Sequence, residues 1–405
     1  MPSTPPDGEP APTDGRLPAE ALSEVGSRPF GVYVHVPWCA HRCGYCDFNT
    51  YVDTDGAAAN TVDATLGELR LARRVLERAP SGVPVATTLF LGGGTPTLLP
   101  VEDLATIVDS VRDVIGLTAD AEVTSEANPE TLDRDYLHRL RAAGVNRLSL
   151  GMQSATPHVL ATLERRHSPG RVQECVGWAR AAGFDSVSLD LIFGTPGESL
   201  ADWRRTLDAA LATEPDHISA YSLIVESGTR LAAQVARGDL TAPDDDVAAD
   251  CYELADEVLA VAGLEWYEIS NWARGAQHRS RHNLLYWTDG HWWGVGPGAH
   301  SHVGGVRWWN TRLPRDHAQA TAAGRSPAAG RELLDPATRR RERVLLGIRL
   351  AGGHPVDDLL PAGRTAAGRL AADGLLDPLP LASGRLVLTL RGRLLADAVL
   401  RQLLD

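Results

Sequence analysis

Short β-branched runs alternate with stretches of helical period from about residue 30 to residue 225. Apolar runs at 31–36, 87–91, 121–126, 146–151, 186–193 and 217–223 predict strands, and amphipathic stretches at 62–78, 101–115, 133–143, 170–182 and 200–212 predict helices between them. That alternation calls for right-handed βαβ units and a parallel sheet, and six of them predict an α/β fold built as a partial (β/α)6 TIM-type barrel. Beyond Pro336, helical patterns at 338–350, 365–373 and 394–404 bracket a predicted strand pair at 375–379 and 385–390, a small α+β terminal domain. Residues 1–28, rich in Pro, Gly, Ala and acidic side chains, have little to bury and read as a disordered tail. A breaker-rich stretch at 312–336 reads as a linker. The chain therefore divides into a tail (1–28), a barrel (29–265), a Trp/His-rich junction and linker (266–335) and a terminal domain (336–405).

Polar residues with little structural reason to be there follow the predicted strands at their C-terminal ends. Cys39–Cys46 follow the first, Gly92-Gly93-Gly94-Thr95-Pro96 the second, Glu126 and Asn128 the third, and Gln153 the fourth, while Asp190 and Tyr221 lie in the fifth and sixth. In (β/α) barrels this face carries the active site. Three consecutive glycines let backbone approach a ligand closely or make a tight turn. Glu126 and Asp190 could equally be barrel ion pairs.

Composition narrows the setting. Of 405 residues 43% are apolar and 22% charged, ordinary for a soluble globular protein, and the net charge of −13 argues against a general nucleic-acid or anionic-membrane surface. No run of about eighteen uncharged apolar residues could span a bilayer. Five cysteines and a polar start without an apolar signal segment lead us to expect the reducing cytoplasm, where disulfides are rare.

Three of those cysteines, Cys39, Cys43 and Cys46, form a CxxxCxxC array directly after the first strand. Closed electron-transfer clusters use four cysteines, so three thiolates suggest a cubane with one iron open to a ligand. A zinc site could instead recruit His35 or His41, although zinc sites usually show paired CxxC halves. Cys175 and Cys251 stand alone in helical patterns and read as small buried residues.

With the segments YVHVPWCAHRCGYCDF, FLGGGTPTLL, LSLGMQS, LDLIFGTPGES and HNLLYW in view, the chain resembles the radical S-adenosylmethionine (SAM) superfamily over residues 30–405. Within it, the chain is similar to the branch that oxygen-independent coproporphyrinogen III oxidases (HemN) share with haem chaperones (HemW). The resemblance implies a [4Fe-4S] cluster on Cys39, Cys43 and Cys46, with SAM chelating the fourth iron. It places Tyr33 near cluster and cofactor and Gly93, Gly94 and Thr95 at the methionyl amino end. Glu126, Gln153, Arg165 and Asp190 would hold the carboxylate, ribose and sulfonium parts, with Arg166 a rival for Arg165. One electron from the cluster would then break a carbon–sulfur bond to give a 5'-deoxyadenosyl radical. HemN-type oxidases carry a further cysteine two positions after the last cluster cysteine and a structured N-terminal extension; here Phe48 and a Pro-rich segment stand instead, which points to the HemW side.

Seven of the ten tryptophans and five of the thirteen histidines fall between Trp266 and Trp309. A flat macrocycle holding a ligand-seeking iron uses both residue types, so haem is the expected partner. The HNxxYW motif marks the HemW-like group and makes His282 the candidate axial ligand; His278, His291, His300 and His302 read as structural. The run Gly294–Ala299 mimics a dinucleotide fingerprint but has Pro297 inside its turn and no surrounding βαβ unit. Arg339–Arg343 reads as a solvated helix turn. The terminal domain resembles the winged-helix-like domain of the HemN group, without the basic recognition helix DNA would need. The resemblance implies a chaperone that passes haem to acceptor haem proteins, and the sequence leaves a homodimer open; the alternative is oxidative decarboxylation of coproporphyrinogen III to protoporphyrinogen IX.

Overall fold

The computed structural model describes residues 8–404 apart from Asp55, Arg166, His167 and Pro169. Strands β1 (Phe30–Val36), β2 (Ala86–Gly93), β3 (Leu117–Ala127), β4 (Arg147–Gln153), β5 (Ser186–Phe193) and β6 (His217–Ser222) pair in parallel in chain order. Helices Thr61–Leu76, Val101–Val114, Arg134–Ala142, Arg171–Ala182 and Leu200–Leu211 fill the gaps, within a few residues of the predicted spans. The strands alternate by face as the pleat requires. Val32, Val34, Leu89, Leu91, Leu148, Leu150, Leu189 and Leu191 are fully buried in the main core. The opposite face of β3 to β5 carries Glu122, Thr124 and Glu126, Arg147, Ser149 and Gln153, then Ser186, Ser188 and Asp190, which makes the barrel interior polar.

The Trp/His-rich segment is not a junction. It contributes β7 (Glu265–Glu268), β8 (Asn271–Ala273), β9 (His291–Val295), β10 (His300–Val303), β11 (Val306–Asn310) and β12 (Ala328–Leu333), and the twelve-stranded sheet runs β12-β11-β10-β9-β1-β2-β3-β4-β5-β6-β8-β7. β9 pairs in parallel with β1, and β8 runs antiparallel to β6. Its tryptophans supply the apolar area that holds these extra strands: Trp272, Trp293 and Trp308 are buried in the main core, with Trp293 and Trp308 meeting edge to face at 4.8 Å. The prolines read as linker breakers open helices instead. Pro314 starts Pro314–Ala322 and Pro336 starts Pro336–Gly347, where the missing N–H costs nothing.

The expected disordered tail is also corrected. From Gly8 onward the segment is packed on the barrel; residues 1–7 lie outside the described residues. Ala21, Leu22 and Val25, on and after the short helix Ala19–Ser23, enter the main core. Glu9 pairs with Arg331 and so covers the edge of β12, and Glu24 takes a bidentate pair from Arg339 at 2.6 and 2.8 Å. Few apolar residues do this, which is why composition alone read the segment as unable to fold.

The C-terminal part has its own core, which includes Val344, Ile348, Leu370, Leu376, Leu386, Val399 and Leu400. The predicted strand pair shrinks to a Leu376–Leu388 bridge and a two-residue pairing of His354–Pro355 with Arg385–Leu386. Pro378 starts a short helix, Pro378–Ala382, in the middle of that pair. Arg393 joins this part to the barrel, bonding Asp256 at 2.9 and 2.6 Å while lying 4.2 Å over the Trp266 ring.

Candidate functional site

The cysteine loop leaves β1 with both its ends fastened. Tyr51 N–H donates to Pro37 O at 2.7 Å and Cys39 N–H to Tyr51 O at 2.9 Å, so the chain returns beside its own start. The Trp38 indole N–H donates to Thr61 Oγ1 at 2.7 Å, anchoring the root on the first barrel helix. Cys39, Cys43 and Cys46 are free and half-buried at the barrel mouth. Burial pushes the Cys39 thiol up to about 11 and raises Cys46 as well, so they carry protons until a metal takes the place of those protons.

The zinc alternative lacks ligands. The ring nitrogens of His35 are taken by Tyr33 Oη and Asn49 O, both at 2.9 Å, and His41 Nε2 engages Glu164 O at 2.7 Å. Among the described residues no three His, Cys, Asp or Glu side chains are gathered around a single-ion position. A group wider than one ion, held by sulfur alone, fits this donor set. Arg165 reinforces it, placing Nη1 3.7 Å from Cys43 Sγ, where a cation offsets the negative charge that thiolates and cluster bring.

The glycines of the second strand end serve close packing against this loop. Gly93 has φ +112°, and a Cβ there would sit 2.5 Å from the His35 ring; one at Gly94 would sit 2.5 Å from Trp38 O. Gly94 N–H and Thr95 N–H donate to Val36 O and Trp38 O, each at 2.8 Å, which seats the turn on the loop's root. Gly93 N–H also donates to Glu126 Oε2 at 2.9 Å. Glu126 is held up to about 7 by burial and then by the charge of Asp190. Asp190 is raised by burial too, although the Ser149 hydroxyl donates to both of its oxygens at 2.9 and 3.0 Å. Gln153 holds φ 65°, a left-handed backbone at the end of β4. Arg165 Nη2 donates to Gly151 O at 3.2 Å, and among the described residues its buried Nε has no hydrogen-bond partner. Arg166 lies outside the described residues. Asn128 is a cap, accepting Glu130 N–H at 3.1 Å.

Tyr33, Gly93 and Glu126 border a pocket of about 130 Å³ whose outer wall includes Phe48, His300 and Trp309. Residues 33–210 match the Radical SAM superfamily. The chain is 51% identical to the haem chaperone HemW of Mycobacterium tuberculosis over 383 residues, 95% of this chain and 97% of that protein. The chain belongs to the HemW family. HemW of Bacillus subtilis is 35% identical over 322 residues, 79% of this chain and 83% of that one. Among solved structures, coproporphyrinogen III oxidase (HemN) from Escherichia coli superposes with a TM-score of 0.80 at 23% identity, covering 96% of this chain and 94% of that one, which establishes the shared fold.

The family motif HNLLYW does not reach the mouth. Its helix, Arg281–Trp287, closes the opposite end of the barrel, where Gly31, Thr88 and Glu122 lie side by side on β1, β2 and β3. That row is five residues along β1 from Val36, about 16 Å below the cysteine loop at the strand rise. The Glu122 carboxylate accepts the N–H groups of Arg281 and His282 at 2.9 and 3.0 Å, a negative charge on a helix N-terminus. His282 is 1% exposed and stacks on Phe90 with centroids 5.2 Å apart. Thr88 Oγ1 engages its Nδ1 and Tyr286 Oη its Nε2, each at 2.8 Å, and burial lowers its pKa to about 3. An iron atom approaching Nε2 would have to displace the Tyr286 hydroxyl.

Strand-end reasoning missed the supports. Ser149, which holds Asp190, and Glu122, which holds the floor helix, each sit four residues before the singled-out positions Gln153 and Glu126 on the same strand faces. The period-2 alternation of polar residues along β3, β4 and β5 was the available signal. Glu68 was missed as well: it accepts Gly296 N–H at 2.8 Å and Asn310 Nδ2 at 2.7 Å and pairs with His317 Nε2 at 2.6 Å, fixing the loop that walls the pocket.

Proposed function

We propose that this protein is a haem chaperone that carries a [4Fe-4S] cluster and SAM at its barrel mouth and passes haem to acceptor haem proteins of the cytoplasm or the respiratory membrane. The observation that carries this reading is the 51% identity, over 95% of the chain, to a protein named as a haem chaperone. Cys39, Cys43 and Cys46 would hold the cluster, which supplies a single electron when bound. Tyr33, Gly93, Gly94 and Thr95 would face the methionyl end of SAM; Glu126, Gln153, Arg165 and Asp190 would take its remaining polar groups. Arg165 would steady the charge of Cys43, and the Glu126–Gly93 hydrogen bond would keep the backbone of the glycine turn in place. Phe48 puts an exposed apolar ring, in place of a further thiol, beside the last cluster ligand. Among the described residues no helix is long and apolar enough to cross a membrane, so an acceptor in the membrane would have to be met from outside it.

The test is transfer. Cluster-reconstituted protein is loaded with haem without oxygen and mixed with an apo haem protein, and the Soret absorption is followed. Movement of haem to the acceptor at a rate above that of free haem release supports the reading. Retention of haem, together with turnover of coproporphyrinogen III, would replace it with the decarboxylase.

A further inference from the structure

The five histidines of the Trp-rich segment differ in whether an imidazole nitrogen is open. His282 is closed at both nitrogens. His302 is buried with Nδ1 on Gly290 O at 3.0 Å and Nε2 toward Asp289 at 3.8 Å; His291 is buried and accepts Gly304 N–H at 3.3 Å. His278 faces Asp216 at 3.9 Å, just before the N-terminal end of β6, away from the mouth. His300 differs. Among the described residues no hydrogen bond reaches either of its ring nitrogens, and it is half-buried on the pocket that opens beside the cysteine loop.

That pocket has two walls. The inner wall, Tyr33, Gly93 and Glu126, belongs to the proposed SAM site. The outer wall is made by Phe48 and Asn49 from the exit of the cysteine loop and by His300, Trp309 and Arg312 from the Trp-rich segment. Asn49 ties the two together, donating from Nδ2 to Pro297 O at 3.0 Å and Arg312 O at 2.8 Å. Phe48 is 52% exposed, a large apolar ring left in water at this edge. The Trp309 ring lies 6.1 Å from His300 at 30°, and Gly8 leaves room for it, since a Cβ there would meet the ring at 2.4 Å.

We propose that His300, and not His282, is the axial ligand for haem, with the macrocycle lying across the pocket mouth between Phe48 and Trp309 and its carboxylates turned toward Arg312. This rests on the haem reading above. An imidazole nitrogen with no other bond, aromatic edges and a planar guanidinium are the groups that an iron porphyrin with carboxylate arms recognises. Burial lowers the pKa of His300, so its lone pair is available at neutral pH. A pocket of about 130 Å³ is too small to enclose the macrocycle, so most of the haem stays open to an acceptor. His282 at the floor would bury the iron where no acceptor could reach it.

The experiment is an anaerobic titration of the full-length, cluster-reconstituted protein with hemin, read by Soret position and by the ferric spin state in electron paramagnetic resonance. The unaltered protein, His300→Gly and Tyr286→Phe are compared. His300→Gly should lose imidazole ligation and weaken binding by about tenfold or more, and added imidazole should restore the spectrum. Tyr286→Phe keeps the floor packed but frees His282 Nε2, and its spectrum and affinity should match the unaltered protein. Tighter binding in Tyr286→Phe, or an unchanged spectrum in His300→Gly, would overturn His300 as ligand while leaving the chaperone reading intact. No hemin uptake by the unaltered protein would overturn both.

Discussion

The two ends of the barrel are built from similar residue types and do opposite work. At the mouth, thiols, carboxylates and Arg165 are half-buried or left short of partners: the Arg165 Nε has none among the described residues, and Glu126 and Asp190 sit near each other with raised pKa values. At the floor, His282 is bonded at both ring nitrogens by Thr88 and Tyr286, and Glu122 takes the N–H groups of Arg281 and His282. Unmet polar capacity in a protein interior costs stability and persists where a ligand can meet it. A histidine in a family motif is placed by its partners rather than by its motif: His282 closes the barrel, and His300 faces the opening.

The sharpest way to break this contrast is at the cysteines. Cys43→Ala should abolish the cluster, with iron and sulfide content after anaerobic reconstitution falling to background. The fold should survive, because the thiol is half-exposed and, among the described residues, its side-chain hydrogen bond is to Arg165 at 3.7 Å. Thermal unfolding of the apo protein should shift by only a few degrees, about 1 kcal/mol or less. A collapse of apo stability in this variant would mean that the mouth is as structural as the floor.

His282→Ala should give the reverse signature. It removes a buried ring stacked on Phe90 and leaves the hydroxyls of Thr88 and Tyr286 without their partner, at a cost of about 2–4 kcal/mol. Urea unfolding should show that loss while iron per chain after reconstitution stays at the unaltered value. Full stability with lost iron would place His282 in the functional site.

Much of the mouth was legible along the chain, and little of the floor. Parallel strands buried by helices read as continuous apolar runs, and the residues after them mark one face by topology alone, so β1 to β6 and the cluster cysteines stand out. β9 to β12 and the floor helix depend on pairing across long separations: His291 lies beside Phe30, and Glu9 beside Arg331. No local period encodes that. HNLLYW names the residue His282, but its position at the floor follows only from the row Gly31, Thr88 and Glu122. The N-terminal segment was misread for a related reason. Its few apolar side chains, Ala21, Leu22 and Val25, matter because a long-range sheet edge and core are waiting for them.

The contrast can be sharpened by pH at Glu126. Its folded-state pKa of about 7 lies above the ordinary 4.5, so the neutral acid is the form the fold prefers. The stability this group contributes is fully present below about 4.5 and is lost progressively as pH rises through 7. Glu126→Gln keeps an oxygen to accept Gly93 N–H and removes the charge, so it should leave apo stability near pH 4.5 almost unchanged and raise it at pH 8 by about 1–3 kcal/mol. Asp190, raised in the same direction, leaves a residual decline with pH in that variant. Urea unfolding of cluster-free protein across this range measures the difference. A stability profile for Glu126→Gln parallel to that of the unaltered protein would show that the carboxylate at the mouth is already satisfied, and the distinction between the two ends would lose its electrostatic basis.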